Sequence, residues 1–337
     1  MMPVPRPASH RLIWLLAAYP ALVTAVSILN ILAPQRGGPL ALSQIFAPHL
    51  LIPVLALLPL SLGVRSRGLL VGIILAVAIG VVRFGPGLVS IPAAPSEPGA
   101  TSVQILSWNL QGAASATEDL MATLRASDAD VVALQELSRE LAATMQADPG
   151  LKARYGYAAL EPRGGAGGLG VLSRFPIVAA SSQRDPAVQE VELQLLDRRL
   201  TIINAHPFAP DLPIRPPVPF PIDYDPGLRD THLLQIRESI DQAIAEGRRL
   251  IVLGDFNVTD REPGFDDLSR GLWDAHEEVG QGTGSTWRPH DIEFVPFGVL
   301  RIDYVLGGPG TRPLSIAEDC EPGLSDHCRL TASAAVS

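Results

Sequence analysis

After residue 100, five short blocks each close an apolar, strand-like run on an acid, an amide or an imidazole. They are Ile105–Asn109, Val131–Glu136, Ile202–His206, Ile251–Asn257, and the pair Arg301–Asp303 with Leu324–His327. Strands hold the backbone by their ladders while their ends stay open, so runs of this kind let a sheet sandwich gather polar groups at one rim. The residue types are those that bind metals and move protons. The pattern predicts a hydrolase.

The 47% hydrophobic content of the 337 residues is concentrated at the front of the chain. The uncharged stretches Leu12–Gln35 and Gly37–Val64 exceed the roughly 20 residues that cross a hydrocarbon core of about 30 Å. Gly68–Val82 rises only about 22 Å, and spans if Arg83 snorkels and the segment runs on toward Val89. Three crossings are expected, with Pro20, Pro53 and Pro59 inside them. Arg6 and Arg11 precede the first span, Arg36 follows it, and Arg65 and Arg67 follow the second. The positive-inside rule then predicts a cytoplasmic amino terminus and an extracytoplasmic remainder. Residues 1–84 form the expected transmembrane anchor, 85–100 a Pro/Gly-rich linker, and 101–337 the catalytic domain.

Residues 1–99 contain six arginines and one acid, leaving 20 basic and 34 acidic residues in the rest. A domain at about −14 is a poor partner for polyanions, which disfavours nucleic acid. Cys320 and Cys328 are the two cysteines. They either bridge across the Asp326-His327 turn or leave Cys328 as a buried strand residue.

Periodicity predicts strands at Val103–Trp108, Val131–Leu134, Leu169–Leu172, Val188–Leu195, Leu200–Asn204, Leu250–Leu253, Ile302–Leu306 and Cys328–Leu330. It predicts helices at Ala116–Arg125 and Leu233–Glu246. In order, the blocks Ser107-Trp-Asn-Leu-Gln-Gly, Ala133-Leu-Gln-Glu, Gly170-Val-Leu-Ser-Arg-Phe-Pro-Ile, Asn204-Ala-His, Gly254-Asp-Phe-Asn, Arg301-Ile-Asp-Tyr and Ser325-Asp-His resemble the motifs of the endonuclease/exonuclease/phosphatase superfamily, the deoxyribonuclease-I-like fold. The anchor-plus-domain arrangement resembles bacterial membrane proteins of the teicoplanin-resistance type.

That resemblance implies an α/β fold, a four-layer sandwich of two packed mixed sheets with helices outside, and a divalent cation, magnesium or alternatively manganese, for cleaving phosphoester bonds. It implies that Glu136 ligates the metal, that Asn109 helps hold the metal site and that Asp326 lies close to it. Asp255 and Asn257 would handle the attacking water and phosphoryl oxygens, Asp303 and His327 would form a hydrogen-bonded pair, and His206 would touch the scissile phosphate. The chemistry agrees. Magnesium prefers carboxylate and amide oxygens, and charge growing on a phosphoryl group needs donors such as Asn257 and His206. Either Asp255 or His327 could be the base.

Pro207–Arg229 is proline-rich and contains Phe208, Ile214, Phe220, Ile222 and Tyr224 with Arg215 and Arg229. Following His206 directly, it is expected to overhang the pocket and to suit a phosphate head with a lipid tail. The expected partners are a phosphate-bearing small molecule or lipid and the membrane; an extracytoplasmic nuclease is the alternative. Gly164-Gly-Ala-Gly-Gly168 lacks a following lysine and reads as a hairpin loop, Arg174 as a brace between loops near the site, and Thr286-Trp287 as core packing.

Overall fold

The computed structural model describes residues 10–85, 98–111, 117–213, 221–289, 294–321 and 323–337. Most of the expected linker, residues 86–97, lies outside them, as do Ile214, Arg215 and Phe220. The chain divides into two compact units. One holds Met1–Leu88 with Leu212–Asp225 and Arg261–Pro263, and the other holds the remainder.

Among the described residues the first unit has five helices: α1 (His10–Leu32), α2 (Pro39–Ile45), α3 (Leu51–Ala56), α4 (Leu58–Gly63) and α5 (Arg67–Phe84). Two are long and apolar enough to cross a membrane, Ile13–Leu32 and Arg67–Phe84. Pro20 sits inside an uninterrupted α1. The second expected span is not one long helix but a broken one. Proline cannot donate to the preceding turn, and Pro48, Pro53 and Pro59 fall across this stretch. Its longest helical part, Leu51–Gly63, rises only about 20 Å. It packs back along α5, with Leu51 against Gly80, and Val23, Val54, Leu69, Ile73 and Ala76 form the unit's buried core. Where α1 gives way to α2, Gly38 N donates to Tyr224 O at 2.7 Å and Arg261 Nε donates to Ile45 O at 3.1 Å.

The second unit is a four-layer α/β sandwich. Its first sheet contains β1 (Thr101–Asn109), β2 (Val131–Gln135), β3 (Tyr157–Glu161), β4 (Leu169–Ser173), β11 (Thr311–Asp319) and β12 (Arg329–Val336), in the order β11-β12-β1-β2-β4-β3. Its second contains β5 (Ile177–Gln183), β6 (Ala187–Leu195), β7 (Arg198–His206), β8 (Leu250–Asp255), β9 (Trp273–Asp274) and β10 (Asp303–Gly307), in the order β5-β6-β7-β8-β10-β9. Val103, Ile105, Val131, Val191, Ile202 and Leu253 meet between the sheets in a fully buried core. Outside the first sheet lie α6 (Thr117–Ala126), α7 (Arg139–Ala147) and α8 (Pro149–Arg154), whose Leu120, Leu124, Leu141 and Leu151 cover Leu106, Val132 and Leu134. Outside the second lie α9 (Gly227–Ala245) and α10 (Pro263–Ser269), with Leu233, Ile236, Ile240 and Phe265 over Ile203, Val252 and Tyr304. A short α11 (Ala275–Val279) follows β9 and starts on the side chain of Asp274.

Each sheet has one parallel pair near its middle. β1 and β2 run together to Asn109 and Gln135, and β7 and β8 run together to Ala205 and Gly254. Crevices beyond the carboxyl ends of parallel strands are where α/β sheets bind ligands. β10 is antiparallel to β8 with Asp303 opposite Asp255, so its amino end reaches the same rim.

Gly254 is one place where only glycine serves. Its φ is 136°, a region closed to other residues, and a Cβ there would collide with the carbonyl oxygen of Ala205 on β7. Gly254→Ala is expected to cost more than about 2 kcal/mol, read from denaturant unfolding of the full chain in detergent. Gly156→Ala, where a Cβ meets nothing within 4 Å, should stay near wild type. Equal stability of the two variants would contradict this account of the β7–β8 approach.

Candidate active site

Asn109 ends β1 fully buried, and its side chain reaches across to the other sheet. Nδ2 donates to Asp255 Oδ2 at 2.9 Å and to Glu136 Oε1 at 3.1 Å, while Oδ1 accepts from Gln111 N at 2.9 Å. Asn109 therefore turns its nitrogen, not its oxygen, toward the carboxylates. Glu136 stands one residue past β2 with φ of 56°, and Asn257 two past β8 with φ of 52°. Non-glycine residues rarely sit there, and such strain persists only where the surroundings impose it. At Asn257 the imposition is visible: its N donates to Asp255 Oδ1 at 2.9 Å, its Nδ2 to Pro207 O at 3.1 Å, and its carbonyl accepts from Arg229 at 3.0 Å.

His206, the last residue of β7, is held by Nδ1 donating to Ala166 O at 2.7 Å. That bond fixes the tautomer. Nε2 then faces Asp255 Oδ2 at 3.4 Å, Glu136 Oε1 at 3.7 Å and Asn257 Nδ2 at 3.3 Å. Burial disfavours the imidazolium, yet hydrogen bonding to Asp255 and the charges of Asp255 and Glu136 raise His206 above the ordinary histidine value. His327 is held in the same manner. Nδ1 lies 2.9 Å from Asp303 Oδ2, and Nε2 points to Asp255 Oδ2 at 3.6 Å and Asp326 Oδ1 at 3.9 Å. Burial opposes its charge, but Asp303 and Asp255 outweigh burial and push His327 up to about 10. The Asp255 carboxyl, which burial would raise, is held below its usual range by the charge of His327 and the bond and charge of His206.

All eight residues singled out in the sequence, Asn109, Glu136, His206, Asp255, Asn257, Asp303, Asp326 and His327, are thus linked through Asp255 and its neighbours. Among the described residues one group of three presents metal donors close together, and two further carboxylates near it keep an oxygen without a hydrogen bond. Asp255, Asp303 and His327 each present a ligand atom within 4.8 Å of the others, but His327 Nδ1 is committed to Asp303. Glu136 and Asp326 fit a hard cation better. Glu136 carries one oxygen with no partner among the described residues, and Asp326 Oδ1 is buried without a hydrogen bond. An orphaned carboxylate oxygen suits a hard ion of the magnesium class.

Three supports escaped the sequence reading. Thr286 Oγ1 accepts from Ile302 N at 3.3 Å and Asp303 N at 3.2 Å, and Trp287 Nε1 donates to Asp326 Oδ2 at 3.1 Å, so the Thr286-Trp287 block aims the two acids as well as packing. Ala166, inside the glycine loop between β3 and β4, orients His206. Arg229, expected to overhang the pocket, is instead fully buried, because its guanidinium is used up on Asp230 and the Asn257 carbonyl. Arg174 does brace, at 3.1 Å from Asp130, but at the end of β2 and β4 opposite Glu136 and not near the site as expected. Cys320 and Cys328 are bridged, which closes the segment containing Asp326 and His327.

The sequence pattern of the "Endonuclease/Exonuclease/phosphatase family" matches residues 106–327. Comparison with curated proteins returns no match. Among solved structures, the fold is similar to D. rerio TDP2 complexed with single-strand DNA product, at 19% identity and a TM-score of 0.54 over 69% of this chain and 99% of that one. It is similar to the endonuclease/exonuclease/phosphatase from Bacteroides vulgatus, at 18% identity and 0.54 over 70% and 100%. It is also similar to the 3′ phosphatase NExo from Neisseria bound to product DNA hairpin, at 18% and 0.52 over 68% and 98%.

A histidine whose proton affinity rises on folding adds stability that is complete below the unfolded value, about 6.5, and fades as pH climbs toward the folded one, about 10. With chelator present, the Tm of the full chain should fall from pH 6.5 to 10, and less steeply in His327→Gln. Parallel profiles for the two proteins would rule out a charged, stabilising His327.

Proposed function

The chain belongs to the endonuclease/exonuclease/phosphatase family, and within it we propose a membrane-anchored, divalent-metal-dependent phosphoesterase that hydrolyses a lipid-linked phosphate ester or diphosphate outside the cytoplasm. The observation that carries the hydrolytic part is the Asn109 amide joining Glu136 to Asp255, with His206 and His327 each turning Nε2 to the same Asp255 oxygen. Two carboxylates and two imidazoles around one point form a centre that receives an anion and moves a proton.

In this reading Glu136 and Asp326 hold the cation, magnesium or manganese, and Asn109 keeps Glu136 in place. A bound divalent cation supplies Lewis-acid neutralisation of the phosphoryl charge. Asp255 accepts the proton of the attacking water, since its carboxyl stays ionised between two imidazoles. His327 remains protonated near neutral pH and donates from Nε2 to a phosphoryl oxygen, with Asp303 holding its orientation. His206 Nε2 and the Asn257 amide donate to the remaining oxygens. The high proton affinity of His327 favours Asp255 over His327 as the base.

Three observations support the membrane and lipid part. Ile13–Leu32 and Arg67–Phe84 have the length and hydropathy of spans; from a cytoplasmic amino terminus these two alone return the chain to the cytoplasm, so the exterior placement requires Leu51–Gly63 to cross as well. The segments that follow His206 and Asn257 in the chain, Leu212–Asp225 and Arg261–Pro263, belong to the compact unit of those apolar helices. The Cys320–Cys328 bridge fits an oxidising exterior. Anchoring of the teicoplanin-resistance kind, with the expected 1–84, 85–100 and 101–337 division, is part of the proposal, although Leu212–Asp225 and Arg261–Pro263 join the compact unit of the helices. The acidic balance of residues 100–337 speaks against nucleic acid as substrate.

Full-length protein in detergent is expected to hydrolyse an isoprenoid diphosphate or a chromogenic phosphodiester with magnesium, and to stop on addition of chelator. Glu136→Gln, Asp255→Asn and His327→Gln should each lower kcat by about a thousand-fold or more with circular dichroism unchanged. Rapid nicking of plasmid DNA would establish the nuclease alternative instead. A reporter active only outside the cytoplasm, fused after Pro98, should be active; an inactive fusion reverses the topology.

A further inference from the structure

A cavity of about 360 Å³ opens beside His206, toward the glycine loop; its walls include Arg163, Ala166, Arg184, Phe208 and His232. Every residue lining it is basic, aromatic or small, and none is acidic. That composition stands out in a domain at about −14, where a randomly placed hollow would meet carboxylates. The nearest acid along the chain, Asp185, is turned to His232 Nε2 at 2.9 Å, and His232 Nδ1 accepts from Phe208 N at 3.3 Å.

The two arginines are placed to receive an anion. Arg163 rests its guanidinium on the carbonyls of Arg184 and Gln183 at 3.4 Å, long bonds that leave donors for a ligand. The Arg184 guanidinium has no hydrogen-bond partner among the described residues. Gly164 and Gly165 have open space where a Cβ would stand, so the mouth is clear. The floor is coupled to catalysis by Ala166 O, which accepts from His206 Nδ1. Phe208, half exposed and tilted over His232 with centroids 5.0 Å apart, makes one rim apolar.

We propose that this cavity is a second phosphate subsite, in which Arg163 and Arg184 hold the phosphate next to the scissile one, making the substrate class organic diphosphates. The proposal rests on the phosphoesterase reading of the neighbouring site. Guanidinium forks match phosphate oxygens, and both arginines line the cavity that His206 also lines. The cavity's size also lies in the range of small-molecule sites.

Calorimetric titration of the full chain with methylenediphosphonate in metal-free buffer tests binding without turnover. Wild type should bind, and Arg163→Gln/Arg184→Gln should bind at least about ten-fold more weakly, a loss of two charge-assisted contacts. Undetectable binding by wild type, or equal binding by the double variant, overturns the subsite. In turnover with magnesium, the ratio of kcat/KM for farnesyl diphosphate to that for bis(p-nitrophenyl) phosphate should fall at least about ten-fold in the same variant. An equal loss on both substrates also overturns it. Arg184→Gln alone, at an exposed position, should reproduce part of each effect if the double variant folds poorly. Arginine-dependent binding by a protein that hydrolyses nothing would sink the phosphoesterase reading and leave the subsite standing. ADP in place of farnesyl diphosphate tells a nucleotide source from a lipid one.

Discussion

One amide holds the two halves of the sandwich in functional register. Asn109 belongs to the first sheet and Asp255 to the second, and the 2.9 Å bond between them is the point at which two separately hydrogen-bonded sheets become one site. Beneath it, Gln135 on β2 donates to Asn204 Oδ1 on β7 at 2.8 Å, and Asn204 donates back to Leu134 O at 3.1 Å and Gly170 O at 3.3 Å. Apolar packing between sheets has no preferred register within a fraction of a strand spacing. Directional bonds between buried amides do, and an amide left unpaired there would cost about 1–3 kcal/mol.

That register makes the electrostatics tolerable. Asp255 and Asp303 face one another across β8 and β10, nearly without solvent, and two such charges would repel into protonation. His327 lies against Asp303 by one nitrogen and Asp255 by the other, and His206, raised above the ordinary histidine value, lies against the same Asp255 oxygen. Buried ions of this kind are costly to assemble and costlier to break singly, so the cluster is better understood as preorganisation for an incoming anion than as a source of stability.

Legibility in the sequence followed burial. Strands such as β2, β4 and β8 are buried at every residue and read as unbroken apolar runs, so their ends, and with them Glu136 and Asp255, could be placed from letters alone. β5, exposed over most of its length, and β12, rich in alanine and serine, carry little of that signal, and β5, β3 and β11 went unread. The carbonyl of Ala166 could not have been found, since a backbone acceptor leaves no residue-type signature. Trp287 had one, an indole before the Ile-Asp-Tyr block, but its hydrogen bond to Asp326 depends on a β-bridge to His327 that periodicity does not show. Arg229 misled because charge near an apolar loop suggests exposure, whereas here the guanidinium is spent on the strained Asn257 turn.

The helical segment departs from expectation for a related reason. Hydropathy counts apolar residues without regard to the hydrogen bonds that keep a helix straight, so Gly37–Val64 looked long enough to span. Prolines divide it, and Leu51–Gly63 falls short of a hydrocarbon core by about 10 Å. A short apolar segment is stable there only if another helix covers its broken backbone, and α5 does so where Gly80 lets Leu51 approach. Gly80 in the last turns of α5 gives room to a side chain of the neighbouring helix, whereas Gly254 gives room to the backbone of β7.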